Sequence, residues 1–261
     1  MPTDPAPAMV SLSGVPPAAT ASTSTVLALR RLDRRVALVT GGGSGAGAAI
    51  ARRCAALGAS VVVADIDYAL AGEVAAGIRA GGGAALAHRC DVAQEEQVAA
   101  LIDRTTREFG GVDLVFNVAG PWLDGDPLNH WARIVGTNLL GTMHVTRLAI
   151  EMLKRRGGAV VNVAAASALG FGEETRPAWC AAKAGILRFT AALRSLQAQK
   201  IRVNCIAPEA IPSAEDFAMV AVSLTFREDY AGRVFLYRAA DRMEIVDYGD
   251  PGYRQAHPLE L

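Results

Sequence analysis

The sequence is short of the residues that build metal and redox centres. Its four cysteines (Cys54, Cys90, Cys180, Cys205) are scattered without a C-x-x-C spacing, and its four histidines (His88, His130, His144, His257) form no ligand pattern. No metal site is therefore expected, and the cysteines read as small buried apolar residues of a reducing, cytoplasmic compartment. An excess of one charge is missing too. The 26 basic residues balance 26 acidic ones, and no basic stripe marks a nucleic-acid or anionic-membrane surface. No uninterrupted apolar run is long enough to span a bilayer. Internal repeats on the scale of about 20–50 residues are absent. The first 30 residues, rich in Ala, Pro, Ser and Thr, lack the basic start and apolar block of a signal peptide. They read as a flexible tail, residues 1–30.

What is present is apolar and regular. At 51% hydrophobic residues the chain can bury a full core. From Arg35 onward short apolar runs alternate with helical segments. The runs VALVTG (36–41), SVVVADID (60–67), AALAHRCDV (84–92), VDLVFNVAG (112–120), GGAVVNVAAAS (157–167) and IRVNCIAP (201–208) read as strands. GRVFLYRAA (232–240) finishes the sheet. Between them the pattern predicts helices over 48–58, 68–80, 94–110 and 127–155, one from Pro177 to about Gln199, and a short one after strand six. Continuous apolar strands separated by helices imply a parallel sheet covered on both faces. The expected architecture is α/β, a Rossmann-type doubly wound parallel sheet in a single domain over 31–261. Such sheets bind ligands at the carboxyl ends of their strands. The loops at 41–47, 65–67, 91–92, 117–123, 165–178 and 208–213 should therefore converge on one site.

The stretch TGGGSGAG (40–47) lies between a strand and a helix, with Gly41, Gly45 and Gly47 spaced G-x-x-x-G-x-G. Small residues there let the backbone approach a pyrophosphate, and the helix N-terminus offers free N–H groups. Asp65 ends strand two, where a carboxylate can hold a ribose diol. Asp91 and Val92 end strand three, and Asn117-Val118-Ala119-Gly120 ends strand four.

On these residues, together with Asn138 in TNLLG and Lys183, the chain resembles the short-chain dehydrogenase/reductase family over about 36–238. The resemblance implies that Gly41, Ser44, Gly45, Gly47, Asp65, Asp91, Val92, Asn117, Ala119, Gly120, Lys183 and Ile211 bind the cofactor. A basic residue just before the second motif glycine marks NADP use in the family. Here Ser44 takes that place, and Asp65 would repel a 2′-phosphate. Both features favour NAD over NADP.

The family's catalytic group is Ser–Tyr–Lys with an assisting Asn, and the tyrosine and lysine are spaced Y-x-x-x-K. In this chain WCAAK (179–183) carries Trp179 in the tyrosine position; Lys183 and Asn138 are kept. The serine is also replaced. Counting forward from Asn162 puts its position at Ala165; counting back from Trp179 puts it at Ala166. Ser167 lies one or two residues beyond and is a candidate for the lost hydroxyl. An indole N–H donates a hydrogen bond but does not titrate in water, so Trp179 cannot take up or deliver the substrate proton. Other candidate proton carriers are Glu173 and Glu174 in GFGEETRPA, and the tyrosines Tyr68, Tyr230, Tyr237, Tyr248 and Tyr253. In APEAIPSAEDFAMV (207–220), Ser213 and Asp216 form a helix-capping pair that leaves no room for the family's lid. Pro121 and Trp122 are candidates for the pocket wall.

Three readings follow. The first is an NAD(H)-binding protein with a degenerate site, either a non-redox enzyme (cyclase, isomerase or lyase type) or a pseudoenzyme. The second is an active oxidoreductase with a non-standard proton donor. The third is a structural subunit paired with an active homologue. The resemblance further implies a homodimer or homotetramer, built through the long helix and the Trp179–Gln199 helix, and a small-molecule substrate or none.

Overall fold

The computed structural model describes residues 31–120, 130–170 and 176–246. The tail 1–30, Pro121, Trp122, Glu173, Glu174, Tyr248 and Tyr253 lie outside the described residues. Eight strands form one sheet: β1 (Val36–Thr40), β2 (Ser60–Asp65), β3 (Ala85–Arg89), β4 (Leu114–Asn117), β5 (Gly158–Val163), β6 (Ile201–Pro208), β7 (Val234–Ala239) and β8 (Arg242–Val246). Their order is β3-β2-β1-β4-β5-β6-β7-β8. All neighbours through β7 pair in parallel, with Val39 opposite Val63 on one side and Phe116 on the other. The chain leaves β1 towards β2 and β3, then returns to the other side of β1 as β4. The crevice between β1 and β4 is therefore the switch point at which such sheets bind ligands.

The helices are α1 (Gly45–Ala56), α2 (Tyr68–Ala80), α3 (Glu95–Phe109), α4 (Trp131–Val135), α5 (Gly141–Arg156), α6 (Pro177–Ala192) and α7 (Ala214–Leu224). Each begins and ends for local reasons. Asp67 caps α2 by accepting from the N–H groups of Ala69 and Leu70. α3 opens on Glu95 and Glu96, carries Arg107 in its last turn, and stops at Gly110 in the left-handed conformation. Pro177 stands in the first turn of α6, where its missing N–H costs nothing.

β1 and β5 are buried along their whole length, which is why their sequences are unbroken apolar runs. On one face of the sheet Ile50, Val74, Phe217 and Tyr237 close the core under α1, α2 and α7. On the other, Leu38, Leu101, Val145 and Leu153 do so under α3 and α5. Burial of each such side chain stabilises the fold by roughly 1.5–3 kcal/mol. The floor of the sheet is pinned by Asp113. Its buried carboxylate accepts from Val36 N at 2.8 Å and pairs with Arg35 and Arg156, each at 3.1 Å.

Three expectations need correction. The sheet does not finish at β7: β8 turns back and pairs antiparallel with it, Phe235 opposite Ile245. The long helix is not one α-helix, because a π turn over Gly136–Leu140 joins α4 to α5. α6 ends at Ala192 and continues as a tighter 3-10 turn over Leu193–Gln199.

Candidate active site

The glycine loop is held open by the loop after β4. The Thr40 hydroxyl accepts from the Val118 and Ala119 N–H groups at 3.3 and 3.4 Å. Gly41 has φ +63° there, and a Cβ on it would stand 2.9 Å from Ala119 Cα. A Cβ on Gly47 would stand 2.0 Å from the Gly41 carbonyl oxygen. Only glycine allows strand and helix to meet this closely. Ser44 occupies the N-cap of α1 but its side chain caps nothing, and no acidic residue sits in the first turn. The positive end of α1 is thus left to a ligand.

Asp65, at the end of β2, is set by two backbone donors: Gly43 N at 2.9 Å and Asp67 N at 3.0 Å. Asp91 accepts from Ala93 N at 3.0 Å. A cleft of about 390 Å³ runs between these elements, lined by Gly41, Ser44, Gly45, Gly47, Asp65, Asp91, Val92, Ala119 and Gly120. Every one of these was expected from the sequence. The lining also includes Ile66 and Val118, in loops expected to converge here, and Arg133 and Thr137, which sequence reading missed. Arg133 and Thr137 are one helical turn apart, the only signal that could have paired them.

Asn117 and Ile211 do not line this cleft. Asn117 is buried and donates to Thr146 Oγ1 at 3.0 Å and Asn162 Oδ1 at 2.9 Å. Asn162 donates onward to Thr190 Oγ1 at 3.0 Å. This polar ladder ties β4 and β5 to α5 and α6. Ile211 is exposed, between β6 and α7. Ser213 caps α7 by accepting from Asp216 N at 3.1 Å, so α7 follows β6 with no inserted lid helix, as the capping pair predicted. Glu209, in the same connection, pairs with Arg238 of β7.

Under the inner end of the cleft the second half of the site converges. A Cβ on Gly120 would stand 2.4 Å from Asn138 Oδ1 and 3.1 Å from Lys183 Nζ, so both groups adjoin the cleft floor. Asn138 lies in the π turn, fully buried. Its Nδ2 donates to the Ile134 carbonyl at 3.0 Å, and Thr142 Oγ1 donates to its carbonyl at 2.9 Å. Its Oδ1 has no hydrogen-bond partner among the described residues. Lys183 is 5% exposed and donates to the Val163 carbonyl at 3.1 Å. Burial pulls its pKa down to about 8, opposed in part by the neighbouring Cys205.

Trp179 stands one turn before Lys183, 9% exposed. The Arg176 guanidinium lies 5.1 Å and Lys183 Nζ 5.9 Å from its ring centroid. The indole packs in a small apolar cluster with Ile134, Ala178 and Ala165. Of the two candidate serine positions, Ala165 is therefore the one that shares a cluster with Trp179. Ala166 and Ser167 belong to the 3-10 turn Ala166–Leu169, half-buried. Among the tyrosines, Tyr68 is exposed at the start of α2. Tyr237 is fully buried, edge-on to Phe217, and Tyr230 packs edge-on to Phe235.

The cleft and the groups beneath it fit a nicotinamide dinucleotide: a glycine cradle that any side chain would fill, a helix end without a cap, and a carboxylate at the ribose position. That combination defines a dinucleotide-binding dehydrogenase scaffold. A sequence profile of the short chain dehydrogenases matches residues 35–217, and the chain belongs to this family. Its members bind nicotinamide cofactors, NAD or NADP. The chain is 37% identical to an uncharacterized oxidoreductase of Thermotoga maritima over 190 residues, 70% of this chain and 74% of that protein. It is 40% identical to the cis-4-hydroxycyclohexanecarboxylate dehydrogenase of Sinomonas cyclohexanicum over 182 residues, 67% and 72% of the two chains. A crystal structure of a short chain dehydrogenase from Mycobacterium avium superposes with a TM-score of 0.77 at 27% identity, covering 88% of this chain and 89% of that one. Among the described residues no helix is long and apolar enough to cross a membrane, and no cluster of metal-ligating side chains occurs.

Proposed function

We propose that this chain binds NAD(H) in the cleft and has a degenerate Ser–Tyr–Lys site. It then serves as a non-redox enzyme of the cyclase, isomerase or lyase type, or as a pseudoenzyme. One observation carries this reading: an indole that cannot titrate is buried near Lys183 and in one cluster with Ala165. When bound, the dinucleotide supplies a hydride donor or acceptor. The residues around it hold the nucleotide and keep Lys183 beneath it, but among the described residues no titrating hydroxyl is set beside the lysine to move a proton onto a substrate oxygen. General acid–base catalysis is worth about 10²–10⁴ in rate, and that contribution is lost. Asp65 and Ser44 support NAD over NADP. The groove between α5 and α6, lined by Leu140, Met143, Ile150, Phe189 and Leu193, supports a homo-oligomer.

A second reading, an active oxidoreductase with another proton donor, draws on Lys183, whose amine exchanges its proton near pH 8. Calorimetric titration with NAD⁺, NADH, NADP⁺ and NADPH tests the nucleotide half. Micromolar NAD(H) binding with no NADH oxidation against ketone and imine panels is the expected result. Steady turnover of a ketone would favour the second reading. No binding of any of the four would overturn both.

A further inference from the structure

We propose that Arg133 is a phosphate ligand of the dinucleotide, its guanidinium closing on the diphosphate from the wall facing the N-terminus of α1. This rests on the reading that the cleft takes a dinucleotide.

Three charged residues line the cleft: Asp65, Asp91 and Arg133. The two carboxylates lie at the ends of β2 and β3 and are engaged by backbone N–H groups. Arg133 is exposed, and its side chain forms no hydrogen bond or ion pair among the described residues. Of the other arginines at the carboxyl end of the sheet, Arg176 lies on Trp179 and Arg238 pairs with Glu209 and Glu244, while Arg89, at the end of β3, does not line the cleft. Arg133 also shares its helix face with Thr137, which lines the same cleft. The same cleft is lined by the uncapped end of α1, with the glycine loop bringing backbone close. A dianionic diphosphate between them meets helix N–H groups on one side and a forked cation on the other. Arginine suits that task, because its planar donors match two phosphate oxygens at once. The inner end of the cleft abuts the orphaned Asn138 Oδ1, a further buried group on the path of the same ligand.

The test is calorimetric, on the full chain, with NAD⁺, ADP, NADP⁺ and adenosine as probes at low and high salt. Arg133→Ala should weaken NAD⁺ and ADP by about tenfold, the worth of one charge-assisted contact. It should flatten their salt dependence and leave adenosine unchanged. Arg133→Lys should recover part of the loss, since a point charge remains. Equal NAD⁺ affinity in wild type and Arg133→Ala overturns the assignment. So does a matching loss for adenosine, which would put the side chain on the base, or a loss confined to NADP⁺, which would put it at the ribose 2′-phosphate. If the wild type binds none of the probes, the cofactor reading itself has failed, and that outcome is distinct from the others.

Discussion

Trp179→Tyr combined with Ala165→Ser should turn the site into a working carbonyl reductase. The two positions share one apolar cluster, so a smaller ring at 179 and a hydroxyl at 165 exchange volume locally. Lys183 Nζ is 5.9 Å from the ring centroid, close enough to bias a phenol placed there towards its ionised form. Proton transfer by the phenol is worth about 10²–10⁴, and a hydroxyl donor to the developing oxyanion about 10²–10³. Both act on one substrate oxygen, so they do not multiply in full. The double variant should therefore exceed wild type by ~10²–10⁴ in kcat/KM for NADH-dependent ketone reduction, read as loss of NADH absorbance. Ala165→Ser alone should give far less than the double variant, because Trp179 still cannot pass a proton to the substrate oxygen. Ala166→Ser in place of Ala165→Ser should give the smaller gain of the tyrosine alone. Trimming the buried indole costs roughly 1–2 kcal/mol of stability, which a thermal melt detects. A double variant that folds, binds NADH like wild type and still reduces no ketone would refute the reasoning.

Three further outcomes are expected. Asp113→Ala removes a buried carboxylate that holds Val36 N, Arg35 and Arg156; because both arginines are half-exposed, the loss should be about 2 kcal/mol. An unchanged urea midpoint would contradict that role. Lys183 has a folded pKa of about 8, below the 10.5 of the free side chain, so the unfolded chain binds more protons between those values and stability rises with pH across that window. The stability of wild type relative to Lys183→Met should climb by on the order of 3 kcal/mol from pH 8 to 10.5 and stay flat below pH 8; a flat difference throughout would mean the amine is not desolvated. Asp65→Ser removes the charge facing a 2′-phosphate and should narrow the NAD⁺ to NADP⁺ affinity ratio by at least about tenfold, unless Asp65 plays no part in the selection.

The fold was legible wherever burial on both faces wrote a continuous apolar run, as in VALVT and GAVVNV. β8 was not, because RMEIV is an edge strand with no buried residue, whose existence depends on pairing with β7. The π turn was invisible for a different reason. Its residues keep a helical pattern, and what marks it is the backbone hydrogen-bond register, which a periodicity does not record.

The site divides along the same line. Much of the cleft lining is written in glycines whose Cβ has nowhere to go and in a carboxylate at a strand end, residues a sequence can point to. Arg133 could not, since its role comes from the wall it faces across the crevice. Trp179 and Ala165 read as two separate losses along the chain, whereas in space the large ring fills the room beside the small residue. The polar groups that remain, Asn138 and Lys183, adjoin Gly120 on the floor of the nucleotide cleft. The groups replaced are those that would face a substrate oxygen. On the proposed reading, the change therefore removes the two groups that would meet a substrate while keeping Lys183 and Asn138, members of the same catalytic group, beside the nucleotide cleft.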